Sequence, residues 1–436
     1  MTDPLRVLLY GDLHGGVSES VRFGAVAPHL AAHGIELRTW ESMAPYQLFV
    51  PTELASDLDR AVRDGRASVD LAPLLWADVL VFRRWYATAH ACLDCDTVTR
   101  RAEQLWLHTR SAGHRAAERG LHTRVLLDML ARDPSLLRGT AVLYDTDDDL
   151  LGEHAPLNLA NRLGAERPDV RRLVAMADLV TVTTPVLAER LAPHARAEVR
   201  VVRNAIEPAW YPDAAASGGG HGLRVVYYGS RARQRDYEVA RPAVDALAAS
   251  PPGAQRIWLG AAEDPACASL VDAALPWVEG VEGFGAALAA TRPDIGIAPL
   301  ADDPYNLARS ELHWLEYAAI GAPVVASAFA APGPYDPIRD GVDGLLARSR
   351  DDWARHLAAL AGSPALRHDP AGAARERLLA EYTAERRAAY GPPPTATRRP
   401  ASGRCRHEPV SPQRSPDPEP GPPPAGDTSR GQGVLP

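Results

Sequence analysis

Lysine is missing from this chain of 436 residues, so all 47 of its basic side chains are arginines. Any anion site must therefore be built from planar, bidentate guanidinium groups. Cysteine is scarce: Cys92, Cys95, Cys267 and Cys405 are too few and too scattered for a disulfide framework, which fits a reducing cytoplasm. His90, Cys92 and Cys95 form half of a zinc pattern, but no second Cys/His pair follows at suitable spacing, so a loop with incidental thiols is the preferred reading. No run reaches the roughly 18 apolar residues of a membrane span, and the amino terminus MTDPLRVLLYGD lacks the regions of a signal peptide. A formal charge of −8 argues against nucleic acid as the main partner. The chain has no Gly-x-Ser-x-Gly elbow, no phosphate-binding Gly-Lys-Ser/Thr loop and no His-Glu-x-x-His, which weakens hydrolase, P-loop and zinc-protease readings.

What the chain does have is an α/β rhythm, repeated twice. With 46% hydrophobic and 23% charged residues it is long enough for two cores. RVLLYG at Arg6–Gly11 and RVVYYG at Arg224–Gly229 each describe a buried strand ending in glycine, one opening the chain and one near its middle. After the first come Gly15 and Gly16, which permit close backbone approach to a ligand, then Ser18 as an N-cap and a helix over Val21–Leu30. Further strands are expected at Ile35–Trp40, Asp78–Phe82, Ala141–Tyr144, Leu179–Thr183 and Val199–Val202. In the second half they are expected at Val225–Tyr228, Ile257–Leu259, Ile295–Ala298 and Val324–Ala326, with closing helices at Asp351–Ala361 and Arg375–Tyr390. Alternation with helical segments predicts parallel sheets.

AAASGGGHG within residues 212–222 reads as a flexible connection. The expected organisation is a Rossmann-like domain over 1–211, a linker over 212–222, and a second Rossmann-like domain over 223–390. Residues 391–436, which hold 13 of the 39 prolines, should be a disordered tail. The Arg100–Arg119 segment, with Trp106 among its arginines, suits a packed helix or a peripheral membrane contact.

Chemistry gathers in a few places. Asn306–Ser327 reads as a helix followed by Gly321, Pro323 and a buried strand. At about 100° per residue, Arg309, His313 and Glu316 share one face of that helix. Glu316 has two acceptor oxygens for neighbouring sugar hydroxyls; pairing with an arginine is the alternative. GSRARQRDY at Gly229–Tyr237 follows a strand and precedes a helix, placing Arg231, Arg233 and Arg235 where a diphosphate would sit; a solvated arginine cluster is the alternative. DTDDDLL at Asp145–Leu151 belongs at the carboxyl rim of the first sheet, where Asp147 and Asp148 orient an acceptor hydroxyl or cap a helix. A metal on this Asp-x-Asp is disfavoured, because the arginine loop already supplies positive charge. Arg83 and Arg84 follow the strand ADVLVF, near the same rim or on the solvated surface.

Together GDLHGGVSESVR, ADLVTVTTPVLAERL with VRVVRNAIEP, GSRARQRDY and the Glu316 helix with GAPVVAS resemble the group 1 family of retaining, nucleotide-sugar-dependent glycosyltransferases with the GT-B fold. The resemblance spans about Arg6 to Tyr390. It implies two Rossmann-like domains facing a cleft, and a hexosyltransferase that moves sugar from a nucleotide-diphosphate donor to a hydroxyl acceptor with no metal or other cofactor. It also implies donor contacts at Gly15, Gly16, Gly229, Ser230, Asn306, Arg309, Ser310, His313 and Glu316, transition-state charge handled by Arg231 and Arg235 with Asp147 and Asp148, and acceptor contacts at Arg83 and Arg84. The family's second glutamate carries over to Glu316, whereas its first, eight residues earlier, falls on Ala308. Arginine after the loop glycine and lysine five positions later become Ser230 and Arg235. These departures motivate a second reading, a GT-B binding or partner subunit without activity; a GT-B sugar epimerase ranks third.

Overall fold

Strands that are apolar at nearly every position belong in sheets buried on both faces, and two such sheets organise this molecule. A computed structural model of the chain describes residues 3–11, 13, 20–44, 48–54, 57–83, 112–137, 139–151, 167–214, 222–230, 233–250, 253–278 and 280–389. The first half holds β1 (Leu5–Tyr10), β2 (Ile35–Thr39), the short antiparallel pair β3 (Leu48–Phe49) and β4 (Ser68–Val69), then β5 (Val79–Arg83), β6 (Ala141–Thr146), β7 (Leu179–Val182) and β8 (Val199–Val201). The second holds β9 (Leu223–Tyr228), β10 (Ala254–Leu259), β11 (Ala273–Leu275), β12 (Ile295–Ala298), β13 (Val324–Ser327) and β14 (Leu345–Ala347). Their orders are β2-β1-β5-β6-β7-β8 and β11-β10-β9-β12-β13-β14, and every neighbouring pair in both is parallel. Both orders reverse direction at the first strand of the half, the place where open α/β sheets bind ligands.

Alternation along each strand feeds two cores. Leu8 and Tyr10 enter one side of the first sheet and Val7 and Leu9 the other. Val226 and Tyr228 face one side of the second sheet and Val225 and Tyr227 the other. The amino edges repeat a device: an aspartate just before a strand accepts a backbone N–H from the neighbouring strand. Asp78 takes Arg6 N at 3.0 Å, Asp178 takes Val142 N at 2.9 Å, Asp272 takes Arg256 N at 2.8 Å and Asp294 takes Arg224 N at 2.9 Å. Each satisfies a donor at the end of a ladder that would otherwise be costly to bury.

All the expected strands form. The unexpected strands are the two-residue pair β3 and β4 and the three-residue edge strands β11 and β14, all too short to leave a periodic signal. Helices differ more. The expected helix over Val21–Leu30 is a π-helical turn at Ser20–Gly24 and a separate helix at Ala27–Leu30. Pro28 lacks the N–H that would continue the first turn. The expected final helix is interrupted: Pro364–Glu381 ends, and Ala384–Ala389 begins after Tyr382 O and Ala384 N have paired with the backbone of Ile206 at 2.8 Å each. The chain thereby returns to the first half. Most of the Gly-rich connection, Cys92, Cys95, Trp106 and residues 391–436 lie outside the described residues. Among the described residues no helix is long and apolar enough to cross a membrane.

Candidate functional site

The carboxyl ends of the two sheets meet. Asp148, two residues past β6, lies 3.8 Å from Arg309, which follows β12 in the second half. Arg309 is not on the helix of His313 and Glu316, as the periodicity suggested. That helix begins at Leu312, a shorter one ends at Leu307, and residues 308–311 between them bond to the first half. Thr184 donates to the Ala308 carbonyl at 3.1 Å, Asn204 donates to Ser310 Oγ at 2.9 Å, and Arg203 donates to Glu311 at 3.2 Å. Tyr305 and Ala308 complete the core of the first half. Burial raises the Glu311 carboxyl above its usual pKa even though Arg203 pulls it down.

The DTDDD segment solves its crowding with arginines. Asp145 is buried among Arg22, which reaches it through two nitrogens, Arg83 at 3.4 Å and the Thr181 hydroxyl at 2.7 Å. Burial would raise its pKa, but the two guanidiniums outweigh burial and lower it. Asp147 meets Arg83 at 3.4 Å, and Asp149 meets Arg190 at 2.6 Å. Each carboxylate of the run thus has its own cation. Among the described residues no cluster of three or more histidines, cysteines or acids could hold a metal ion.

On the opposite wall, Arg233 is the arginine of the loop that turns inward. Its guanidinium lies over Tyr305 at 5.9 Å and 3.5 Å from Asp236; burial opposes its charge, but Tyr305, Asp236 and Asp148 hold its pKa above the usual value. Arg235 points outward, its side chain 78% exposed and 3.9 Å from Asp303. Arg231, Arg84, Gly15 and Gly16 lie outside the described residues. Gly229 carries φ +156° and takes Trp258 Nε1 on its carbonyl at 2.8 Å, and Ser230 beside it is exposed. Asn306 is buried and donates to Asp236 at 2.7 Å, tying the loop after β12 to the helix after β9.

Glu316 is fully buried. Its oxygens accept from the Tyr211 hydroxyl at 2.9 Å and from the Tyr228 hydroxyl, and burial pushes its pKa up to about 7 against those bonds. His313 stands edge-on to Tyr228 at 4.4 Å and meets the Tyr335 hydroxyl at 3.1 Å; burial and Arg233 press its pKa down to about 3. Sequence reasoning missed Tyr211, Tyr228, Arg203, Asn204 and Glu311. Tyr228 had a usable signal, since it ends the strand that opens the second half.

Residues 287–390 match a family described as glycosyl transferase-like. That match lies within the second half and agrees with the resemblance of the sequence to group 1 glycosyltransferases. No curated protein matches it by sequence. Sucrose-phosphate synthase from Thermosynechococcus elongatus is similar in structure, with a TM-score of 0.55 at 16% identity over 88% of this chain and 97% of that one. HepE from Anabaena, solved with UDP and glucose, gives 0.53 at 14% identity over the same shares. A glycosyltransferase from Rickettsia africae gives 0.52 at 11%, over 89% and 97%. At these identities the three share a fold with this chain, the GT-B arrangement of two Rossmann-like sheets.

Proposed function

We propose that this chain transfers a hexose from a nucleotide-diphosphate donor to a hydroxyl acceptor, with retention at the anomeric carbon and with arginines rather than a metal carrying the phosphate charge. The observation behind this is the meeting of Asp148 with Arg309, which places the carboxyl ends of two Rossmann-like sheets together with Arg233 beside them. In this reading the bond from the anomeric carbon to the phosphate oxygen breaks with its electron pair on the diphosphate. The acceptor oxygen bonds to the same face of the sugar, and its proton passes to the departing phosphate. Arg233, with Arg235 at the rim and Arg231 two positions before Arg233 in sequence, stabilises the growing charge. Gly229 and Ser230 bring backbone close to the diphosphate, and His313, Arg309 and Ser310 face the sugar. Asn306 acts one step back, through Asp236. Asp147 and Asp148 orient the acceptor, and Arg83 holds Asp147 in place. Glu316 is fully buried with each oxygen already accepting a tyrosine hydroxyl, so ribose hydroxyls would reach it by displacing a tyrosine or by using a second lone pair.

Titration with UDP-, GDP- and dTDP-sugars tests this reading: the matching donor should raise the melting temperature and be slowly hydrolysed, and NMR of a transfer product should show the donor's anomeric configuration. A chain that binds a donor but never releases nucleotide is a binding or partner subunit. That second reading is favoured by Ala308, which is packed in the core of the first half and leaves no room for the glutamate it replaces. A new sugar nucleotide formed without acceptor would identify an epimerase.

A further inference from the structure

One face of the first sheet is only partly roofed. Between Val7, Val79, Val81 and Leu143 on the strands and the returning segment at 382–389 lies a cavity of about 840 Å³, within the usual range for small-molecule pockets of roughly 300–1,000 Å³. Its walls are mainly apolar, and the charged side chains set into them bring their own partners. Arg22 and Asp145, both in the lining, pair with each other, while Arg200 pairs with Glu198, Arg203 with Glu311 and Glu381 with Arg377. Arg387 is engaged as well, and Arg386 is exposed to solvent. One lining group stands apart. Asn204 is 3% exposed; its amide nitrogen donates to Ser310 Oγ at 2.9 Å, but its Oδ1 is buried with no hydrogen-bond partner. Among the described residues no other side chain of the lining holds a buried polar atom without a partner. A buried acceptor left unpaired is costly, and beside an apolar chamber it calls for a donor from a ligand or a water.

We propose that this cavity binds a neutral amphiphile, an apolar chain lying on the valine and leucine wall with a hydroxyl head that donates to Asn204 Oδ1. A carboxylate has no proton to give and would set oxygen against oxygen. An ammonium head could donate, but the carboxylates of the wall, Asp145 and Glu381, are already held by arginines. A bare hydrocarbon would fill the chamber and leave the acceptor unmade. The apolar wall belongs to β1, β5 and β6 and not to the loops that form the candidate donor site, so occupancy is read independently of sugar transfer.

The full-length chain should be titrated at neutral pH with dodecanol, with methyl dodecyl ether, which lacks the donor, and with dodecanoate, by displacement of the uncharged fluorophore N-phenylnaphthylamine. The expected result is that dodecanol binds and that the ether and the acid bind roughly tenfold more weakly. Asn204→Leu, which keeps the side-chain size and removes the acceptor, should bind alcohol and ether alike. Leu143→Trp, which fills the chamber from a partly exposed position, should abolish dodecanol binding. The proposal is overturned by no binding of dodecanol, by an ether or an acid that binds the unaltered chain as tightly as the alcohol, by a folded Asn204→Leu that still prefers the alcohol, or by undiminished binding to a folded Leu143→Trp. An ether equal to the alcohol would mean that water serves Asn204 instead. Because that comparison uses the unaltered chain, it is decisive even where a variant fails to fold. Failure of the sugar-nucleotide titration would leave these outcomes unchanged.

Discussion

At the scale of single residues, burial separates the two described arginines of GSRARQRDY. Arg233 is held inside by Tyr305 and Asp236, while Arg235 is directed to solvent. Arg233→Ala should therefore cut transfer by about a hundredfold or more with the fold intact, and Arg235→Ala should cost less. Initial rates with the donor found by thermal shift, alongside circular dichroism, compare them; equal or reversed effects would remove Arg233 from its role. Tyr211 offers a second test. If a ribose must displace a tyrosine from Glu316, then Tyr211→Phe removes a competitor and should tighten nucleotide binding several-fold in calorimetry, whereas unchanged affinity would show that Tyr211 is not displaced. Glu316 also leaves a pH signature. It keeps its proton in the folded chain up to about 7 but loses it near 4.5 when unfolded, so its contribution to stability is fully present below 4.5 and is lost as pH rises through 7. That gap corresponds to something on the order of 3 kcal/mol. Glu316→Gln should gain stability relative to wild type between pH 5 and pH 8 in urea titrations, and a constant difference would refute the elevated pKa.

Among elements, the break between the helices at Pro304–Leu307 and Leu312–Ala319 ties the halves together, as does the return of Tyr382–Ala384 to Ile206. The periodicity of this stretch was legible, and it correctly placed His313 and Glu316 on one helix. It could not show that residues 308–311 leave the helix, because their partners Asp148, Thr184, Arg203 and Asn204 are more than a hundred positions away in sequence. The cost of breaking this contact can be measured. Arg203→Met strands the buried Glu311 carboxyl without its cation, and should destabilise by about 2 kcal/mol, below the usual figure for a buried pair because Arg203 is partly exposed. Adding Glu311→Leu should recover most of the loss; a double variant as weak as the single would show that the pair acts by something other than charge.

For the whole molecule, buried histidines and buried acids pull acid sensitivity in opposite directions. Burial lowers His122 to about 4, and burial with Arg233 lowers His313 to about 3, so both stay neutral when folded and bind protons near 6.5 when unfolded. Their contribution to stability is present above 6.5 and is lost as pH falls toward those values. Glu316 acts oppositely between 4.5 and 7. Glu311 and Asp236, whose carboxyls burial also raises, act in the same sense as Glu316. Replacing His122 by phenylalanine should remove its share of the acid sensitivity, so the variant loses less stability than wild type between pH 7 and pH 5. Denaturation midpoints of both chains at pH 5, 6 and 7 check this, and an equal loss in the two would contradict it.

Repeated runs such as RVLLYG and RVVYYG, together with spaced apolar segments, were enough by themselves to specify two parallel sheets, because a strand buried on both faces must be apolar throughout and that demand is local. Candidate chemistry was legible for the same reason, as charged residues just past strands. Which of those residues face the cleft was decided only by the tertiary structure. Asp145 was one of four neighbouring carboxylates until Arg22 and Arg83 converged on it, and Glu316 was a helix-face acid until Tyr211 and Tyr228 enclosed it. A carboxylate's role depends on the donors and the dielectric around it, and in this fold both come from parts of the chain that are remote in sequence.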